Sequence, residues 1–451
     1  MLNRSHALAA LIICTSVAFA QEAATPPVDT TGQAGNRSSA SSSSSYSTTP
    51  PEASAADQSE GFSLPGGMGY APLDFTPGQG RFDRKPLSFG TTIQQGYDDN
   101  VEATSGDPRQ APVKGSLVTA LSEGVDLLLA QSRYGLSLGA NAGGQYYWDR
   151  AGDQLTPNGG LNLIFGYKLT PRVQFSAIVN GIYTTQPTLT MVNGLAQSNG
   201  KGYLTANSKF DLLYRWTPRF STDTAYSING IYQSSSIPSN NNNLNQIVSE
   251  SFRYAFSHLV TGVLEGRYSR ITYNNLASTN VLQSDSNTYY ALAGADVVLS
   301  RRFSGALRAG STTRDYQLAG QSSTTSPYAE STLNYTVTRT SALNLDVRYG
   351  YDDSSSSTVA STSKSIRTGL SYSQAFTSKL RGTAGVSYSH IDNSSNTSPT
   401  RDALSTSLGL QYALSQSTTL FGSFSRMDVT SSERLQEYTK DVYYLGATFQ
   451  Y

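Results

Sequence analysis

Eight short turn-like tetrapeptides recur along the C-terminal four-fifths of the chain, each following a strand-like run. Successive tetrapeptides begin 38 to 47 residues apart. A period of about 40 residues fits either a hairpin repeated around a barrel or a four-stranded propeller blade. The tetrapeptides are LAQS from Leu129, LTPR from Leu169, WTPR from Trp216, FSHL from Phe256, LSRR from Leu299, VTRT from Val337, FTSK from Phe376 and LSQS from Leu414.

The runs between these turns alternate strictly between apolar and polar residues. Leu161, Leu163 and Phe165 point one way by parity, while Asn162 and Lys168 point the other. Such alternation indicates β-strands with one apolar and one polar face. The predicted strands run to about 12 to 15 residues, more than the roughly 9 to 11 needed to cross a bilayer at a tilt. A propeller blade would repeat signature residues, and none are found.

The two sets of connections differ in length. One set is the short turns, whereas segments 187–201, 234–246 and 274–286 are longer and rich in Asn, Ser and Gly. This asymmetry is typical of outer-membrane barrels. Eight turns imply nine hairpins, so the sequence predicts an all-β fold: a transmembrane antiparallel up-and-down β-barrel of about 18 strands, with 16 as the alternative. An even number closes the hydrogen-bond ladder and leaves both termini in the periplasm.

The N-terminal segments have a different composition. Residues 1–20 combine Arg4, an apolar run and Ala18-Phe19-Ala20, as in a secretory signal peptide. Residues 21–85 are rich in Ser, Pro and Gly, which predicts a disordered periplasmic leader. The barrel is expected over 86–451. The net charge of zero argues against nucleic acid as a partner.

The last strand ends on an aromatic residue. Tyr443, Leu445, Phe449 and Tyr451 share one apolar face. This pattern resembles the C-terminal signal by which the barrel assembly machinery recognises its substrates. It predicts that the chain is located in the outer membrane.

A family resemblance rests on the first strand. The run LSFGTTIQQGYDDNV starts at Leu87 and contains Gly96, Tyr97, Asp98, Asp99 and Asn100. It resembles the Putative beta-barrel porin type 2 family of Gram-negative outer membranes, over about residues 86–451. The resemblance implies a porin-like barrel, and some members of the family lie beside polysaccharide export systems. The Asp-Asp-Asn group could bind a divalent cation or contact lipopolysaccharide through one, but a solvated strand-end turn is the favoured interpretation.

Parity also predicts which residues line the lumen. With apolar residues facing out, basic residues outnumber acidic ones on the inner face by about two to one. One interpretation is a weakly anion-preferring pore. The other is cross-strand pairing, such as Glu265 with Arg308, that rigidifies the wall. Glu123 breaks the pattern, since it has the parity of Leu121 and Val125. The candidate pore-lining residues are Arg267, Arg308, Arg348, Arg367, Arg381, Glu265 and Asp346.

Residues for catalysis are few. His6 lies in the signal peptide, His258 at a short turn and His390 near the outer end of a strand. The two histidines outside the signal peptide would lie on opposite sides of the bilayer, so a catalytic triad or a two-histidine metal site is disfavoured. We therefore expect no enzymatic activity, no cofactor and no metal.

The sequence as a whole predicts an outer-membrane channel for passive diffusion of small hydrophilic solutes. The alternative is the outer-membrane component of an exopolysaccharide export or assembly apparatus, or a structural barrel without independent conductance. No loop has the length expected of one that folds inward, so either the conduit is wide or leader 21–85 narrows it. The expected partners are outer-membrane lipid and lipopolysaccharide, the barrel assembly machinery, small hydrophilic solutes or polysaccharide, and a second copy in a homo-oligomer.

Overall fold

The structure is a computed structural model that describes twelve stretches of the chain. The predicted signal peptide, the predicted leader and most of the longer loops lie outside them. Within the described residues, no helix is long and apolar enough to span a membrane. The described stretches are 86–106, 112–131, 133–150, 154–184, 203–233, 243–273, 285–300, 302–317, 323–353, 362–393, 400–432 and 437–451.

Eighteen antiparallel strands of 12 to 15 residues form one sheet. They are β1 (Leu87–Asp98), β2 (Ser116–Ala130), β3 (Tyr134–Tyr147), β4 (Leu155–Lys168), β5 (Val173–Thr184), β6 (Tyr203–Arg215), β7 (Phe220–Gln233), β8 (Asn243–Ala255), β9 (Val260–Tyr273), β10 (Ser286–Ser300), β11 (Phe303–Tyr316), β12 (Thr324–Thr338), β13 (Ser341–Asp353), β14 (Thr362–Ala375), β15 (Leu380–Asn393), β16 (Arg401–Ala413), β17 (Thr418–Ser431) and β18 (Tyr438–Gln450).

The sheet closes on itself. Each strand pairs with its neighbours in sequence, and β18 pairs with β1 from Gly90 opposite Gln450 to Asp98 opposite Val442. Closure leaves no strand edge unpaired, which is the condition for a sheet to lie in lipid. The predicted 18-stranded up-and-down barrel is confirmed, including the number of strands.

Seven of the eight tetrapeptides carry a Ser or Thr at the second position, and its hydroxyl group shapes the short connection. In the turn after β6, the Thr217 hydroxyl oxygen accepts the backbone N–H groups of Arg219 and Phe220 at 3.3 and 3.0 Å. The Ser or Thr hydroxyl in the turns after β4, β8, β14 and β16 likewise accepts backbone N–H groups. Because such side chains satisfy backbone donors that no strand can reach, they favour tight turns.

Exposure alternates along each strand, with large apolar side chains on the outer face. We call the ends of the barrel the turn end and the loop end, after the connections they carry. Trp216, Phe256 and Phe376 are exposed at the turn end, and Trp148 is exposed at the loop end. Tyr147, next to Trp148 in sequence, has the opposite orientation and is buried on the inner face.

Candidate pore lining and the first loop

The connection between β1 and β2 comprises residues 99–115, and its described N-terminal part packs inside the barrel. We call it the first loop; residues 99–106 and 112–115 of it are described. Val101 and Ala103 are only 3% and 5% exposed. Burial of small apolar side chains from a connecting segment requires an apolar surface to receive them.

That surface is the inner face of the barrel near the loop end. The residues that cluster with Val101 come from β2, β3 and β18, and those that cluster with Ala103 come from β16, β17 and β18. The first loop therefore lies against the inner wall on both sides of the β1 and β18 seam. The expectation that no loop could fold inward was wrong. The wall residues are Val118, Tyr147, Val442 and Tyr444 around Val101, and Ala403, Met427, Val429 and Tyr438 around Ala103.

The family motif supplies the anchor of the first loop. Asp98 is 1% exposed, and its Oδ2 atom lies 2.8 Å from Nζ of Lys440, which is itself buried. Lys440 Nζ also donates to the carbonyl oxygen of Val101 at 3.4 Å. A buried ion pair is strongly sensitive to the loss of either partner, because the remaining charge is left without compensation.

Asn100 holds the loop by three hydrogen bonds of its side chain. Its Nδ2 atom donates to the carbonyl oxygens of Thr439 and Thr104, both at 2.9 Å, and its Oδ1 atom accepts from the backbone N–H of Thr104 at 3.0 Å. Ala103 adopts a φ of 50°, a conformation that costs energy in alanine. Its backbone N–H donates to the carbonyl oxygen of Asn100 at 3.1 Å. Side-chain and backbone bonds thus shape a compact turn.

The other motif residues have different roles. Oδ1 of Asp99 accepts the backbone N–H of Asp441 at 2.7 Å, and burial raises the pKa of Asp99 while this hydrogen bond opposes the rise. A side chain at Gly96 would collide with the inward Tyr444 ring, and Tyr97 faces outward. With Asp98 and Asn100 buried, the motif is a packed anchor rather than a solvated turn. Among the described residues, no group of three His, Cys, Asp or Glu side chains could hold a metal ion.

A second ion pair holds the first loop on the β3 side. Glu102 Oε1 accepts from Nε of Arg150 at 2.8 Å, and the Arg150 guanidinium lies 5.7 Å from the centre of the Tyr147 ring. The loop is therefore tied to β18 by Lys440 and to the segment after β3 by Arg150. Two attachments on opposite sides limit how far the loop can swing.

A chain of ion pairs runs over the inner face of β7 to β12; we call it the ionic chain. It contains three guanidinium groups and four carboxylates. Its members in order of contact are Asp223, Arg253, Asp296, Arg308, Glu265, Arg267 and Glu330. The contacts measure 3.2 Å between Asp223 and Arg253, 3.3 Å between Arg253 and Asp296, 2.6 Å between Asp296 and Arg308, and 3.6 Å between Arg308 and Glu265.

On β12 the ionic chain includes Glu330, which is hydrogen-bonded to Tyr328. Arg267 pairs with Glu265 and donates to both carboxylate oxygens of Glu330, at 3.1 and 2.5 Å. The Tyr328 hydroxyl donates to the same carboxylate. Arg308 and Glu330 are 1% and 3% exposed. Paired charges of this kind make a stiff wall and largely cancel one another toward a passing ion.

The four other predicted pore residues lie on the inner face of β13 to β15. Arg348 and Arg367 are direct cross-strand partners, and the Arg348 guanidinium lies 5.6 Å from the centre of the Tyr328 ring. Arg381 is exposed on β15 near the turn end. Asp346 is exposed on β13, with its side chain over Gly369 of β14. All seven predicted pore residues therefore face inward, but Arg267, Arg308 and Glu265 lie in the ionic chain.

The remaining predicted residues lie on the outer surface or at the barrel ends. Tyr443, Leu445, Phe449 and Tyr451 are exposed on the outer face of the closing strand β18. His390 faces outward near the loop end, with its Nδ1 atom 2.8 Å from Asp402 Oδ1. Glu123 also faces outward, as its parity indicated.

Lys440 and the inner apolar wall were not identified from the sequence. A signal existed for the first loop, since Val101, Ala103 and Val113 are apolar residues in a segment otherwise polar. Nothing local pointed to Lys440, because its partner Asp98 lies more than three hundred residues away in sequence and becomes its neighbour only when β18 closes on β1.

Several solved barrels are similar to the chain in architecture. A mutant of the ferric enterobactin receptor PfeA from Pseudomonas aeruginosa is 9% identical, with 82% of this chain and 81% of that chain covered and a TM-score of 0.43. OccAB4 of Acinetobacter baumannii is 11% identical, with 82% and 99% covered and a TM-score of 0.40. OpdK of Pseudomonas aeruginosa with vanillate is 8% identical, with 81% and 99% covered and a TM-score of 0.41.

Sequence comparison identifies the family. No curated protein matches the chain. The sequence model of the family described as Putative beta-barrel porin 2 matches residues 222–451, from β7 to the last residue. With the closed barrel and its inward charged residues, this match places the chain in the Putative beta-barrel porin 2 family, as an outer-membrane channel barrel.

Proposed function

We propose that the protein is a passive channel for small hydrophilic solutes in which the first loop limits the size of what passes at the loop end. The observation that carries this proposal is the burial of Val101 and Ala103 against the inner wall. A segment packed inside a barrel reduces its open cross-section, whereas 18 strands alone enclose a wide lumen. In this orientation the turn end faces the periplasm, as short turns do in outer-membrane barrels.

We further propose a weak preference for anions that depends on β13 to β15. The ionic chain holds more carboxylates than guanidinium groups, so Arg267 and Arg308 add no net positive charge. Arg348, Arg367 and Arg381 lie on the inner face of β13 to β15. Fixed charges beside a water path attract ions of the opposite sign, so these three arginines support the anion preference.

The test is single-channel conductance of the refolded protein in a planar bilayer, with reversal potentials across a salt gradient. Asp98→Ala removes the carboxylate partner of Lys440 and frees the first loop. Asp402→Asn is the matched control, because Asp402 is a carboxylate near the loop end that faces outward. We expect steady openings in the unaltered protein, larger openings in Asp98→Ala, and no change in Asp402→Asn.

Three outcomes would contradict these proposals. Equal conductance in the unaltered protein and in Asp98→Ala would mean that the first loop does not limit the opening. Silence in the unaltered protein and in Asp98→Ala, with both folded, would instead favour a partner-dependent export component or a structural barrel. A reversal potential of cation-preferring sign would reject the role of the β13 to β15 arginines.

A further inference from the structure

Two carboxylates face outward within the strands, away from the loop end, on the surface where lipid is expected. Glu123 lies on β2 and Glu250 on β8, with the same orientation as the exposed Leu121 and Val248 beside them. A charged side chain in hydrocarbon is costly, and the cost falls toward the membrane interface. The other outward carboxylates among the described side chains of the strands lie near the loop end: Asp315, Asp392, Asp402, Asp428 and Asp441.

The two sites share one arrangement. Thr91 is the cross-strand partner of Glu123, and its hydroxyl donates to Glu123 Oε1 at 2.6 Å. Thr224 is the cross-strand partner of Glu250, and its hydroxyl donates to Glu250 Oε2 at 2.5 Å. The same pair thus occurs twice on the outer face, in hairpins that lie several strands apart.

Aromatic rings lie one outward position closer to the turn end at both sites. On β1, Phe89 lies two residues before Thr91 on the same outer face. Its ring stacks on that of Tyr451, with ring centres 6.2 Å apart. The Tyr451 hydroxyl lies 3.4 Å from Glu123 Oε2. At the second site Phe252 holds the same position next to Glu250, and Tyr254 follows it, both being exposed. Rings in such a row mark the membrane interface of a barrel.

We propose that these two sites bind phospholipid headgroups that carry a primary ammonium group. A carboxylate supplies the opposite charge and accepts the ammonium N–H groups. The neighbouring ring faces supply the attraction between a cation and an aromatic ring, which acts within about 6 Å of the ring centre. Outward side chains two residues apart on a strand are separated by about 7 Å, so one ammonium group can touch both.

Lipid is the occupant that the charges favour over a second copy of the chain. An interface between copies would need a cation or a donor at this depth on the outer face. Among the described strands the outward cations Arg270, Lys364 and Arg426 lie near the loop end instead. An interface that joined the two acidic sites would place like charges together, which is unfavourable.

The test is native mass spectrometry of the folded barrel released from micelles that contain equal amounts of phosphatidylethanolamine, phosphatidylcholine and phosphatidylglycerol with identical acyl chains. Phosphatidylcholine is the matched probe, since its quaternary ammonium has no N–H to donate. We expect the unaltered protein to retain phosphatidylethanolamine roughly fivefold more than phosphatidylcholine, because only a primary ammonium group can donate hydrogen bonds to the carboxylates.

The decisive variant is Glu123→Gln with Glu250→Gln, which keeps the shape and removes both charges. We expect it to lose the preference, while Asp402→Asn, a carboxylate at the loop end, retains it. Equal retention of the three lipids by the unaltered protein, or an unchanged preference in the double variant, would overturn the proposal. A switch from oligomer to monomer in the double variant, with lipid retention unchanged, would assign the sites to a protein interface instead.

Folding is checked on the same samples by the heat-dependent shift in gel migration. If the double variant does not fold, Glu123→Gln and Glu250→Gln are measured singly, and each is expected to lose part of the preference. Retention of the full preference by both single variants would overturn the proposal. The measurement does not depend on conductance, so its failure and that of the proposed channel function remain distinguishable.

Discussion

Two parts of the inner wall are filled in different ways. Near the seam of β1 and β18, apolar residues of the wall are covered by the first loop. Over β7 to β12, the wall is covered by the ionic chain of its own side chains. The difference shows that an apolar inner wall needs a separate segment to shield it from water. In a charged wall, by contrast, the side chains can pair with one another across strands.

The two parts also differ in how many contacts hold them. The first loop depends on Asp98 with Lys440, on Asn100, and on Glu102 with Arg150. The ionic chain shares each central arginine between two carboxylates. Removal of Asp98 should therefore detach the first loop from β18 and leave it held by Arg150 on the β3 side, whereas removal of one carboxylate should leave most of the ionic chain in place.

The largest effect is expected from Asp98→Ala. Lys440 would remain buried without its partner, at a cost of about 3 to 5 kcal/mol, and the first loop should leave the wall. The measurements are urea-induced unfolding and single-channel conductance, with stability falling and conductance rising. The double variant Asp98→Leu with Lys440→Met removes both charges and should recover most of the stability. If the double variant were as unstable as Asp98→Ala, the ion pair would not be the cause.

A comparison of Glu330→Gln with Asp346→Asn separates a paired from an exposed carboxylate. Each change removes one negative charge from the inner face. Glu330→Gln leaves Arg267 with one weaker contact and should lower stability by about 3 kcal/mol, whereas Asp346→Asn should cost less than about 1 kcal/mol. Urea unfolding measures the stability of each variant. Reversal potentials should show a higher ratio of anion to cation permeability in both variants, because each has lost one negative charge from the inner face. Equal stability of the two variants would show that the ionic chain does not stiffen the wall.

The third effect concerns Arg348 and Arg367 on the inner face of β13 and β14. Arg348→Gln with Arg367→Gln should reduce the ratio of anion to cation permeability, by a factor on the order of two. Arg426→Gln is the control, since Arg426 is an exposed guanidinium on the outer face of β17. Reversal potentials across a salt gradient give the ratio. An equal shift in the control would mean that inner charges are not the source of selectivity.

The smallest effect is a pH dependence of the first loop. Burial raises the pKa of Asp99, so its protonated form is favoured in the docked loop. The stabilising contribution is complete below the ordinary value of 3.8 and is lost as the pH rises through the raised value. Asp98 and Asp441 add to the rise and Lys440 opposes it.

Conductance recorded at falling pH tests this dependence. We expect a modest decrease as the pH falls through the raised pKa, because the first loop docks more firmly. Asp99→Asn, which mimics the protonated form, should flatten the profile. A profile in Asp99→Asn as steep as that of the unaltered protein would assign the dependence to another group.

Sequence reasoning succeeded where the physical signal is local. Alternation over Leu161 to Lys168 reports which face of β4 meets lipid. The Thr or Ser at the second position of seven of the eight tetrapeptides indicates a turn, because its hydroxyl can accept backbone N–H groups. The same parity placed all seven predicted pore residues on the inner face. Parity does not report pairing, however, so the sequence did not show that Arg267 pairs with Glu265 and Glu330 in the ionic chain.

The sequence by itself determined the barrel, the number of its strands and the side of the wall on which each charge lies, since these follow from periods of two and about forty residues. Only the tertiary structure decided that Asp98 meets Lys440, that the first loop lies inside, and that seven charged side chains join over six strands. The physical reason is closure: the partners come from strands far apart in the chain, and their distances are set when the last strand pairs with the first.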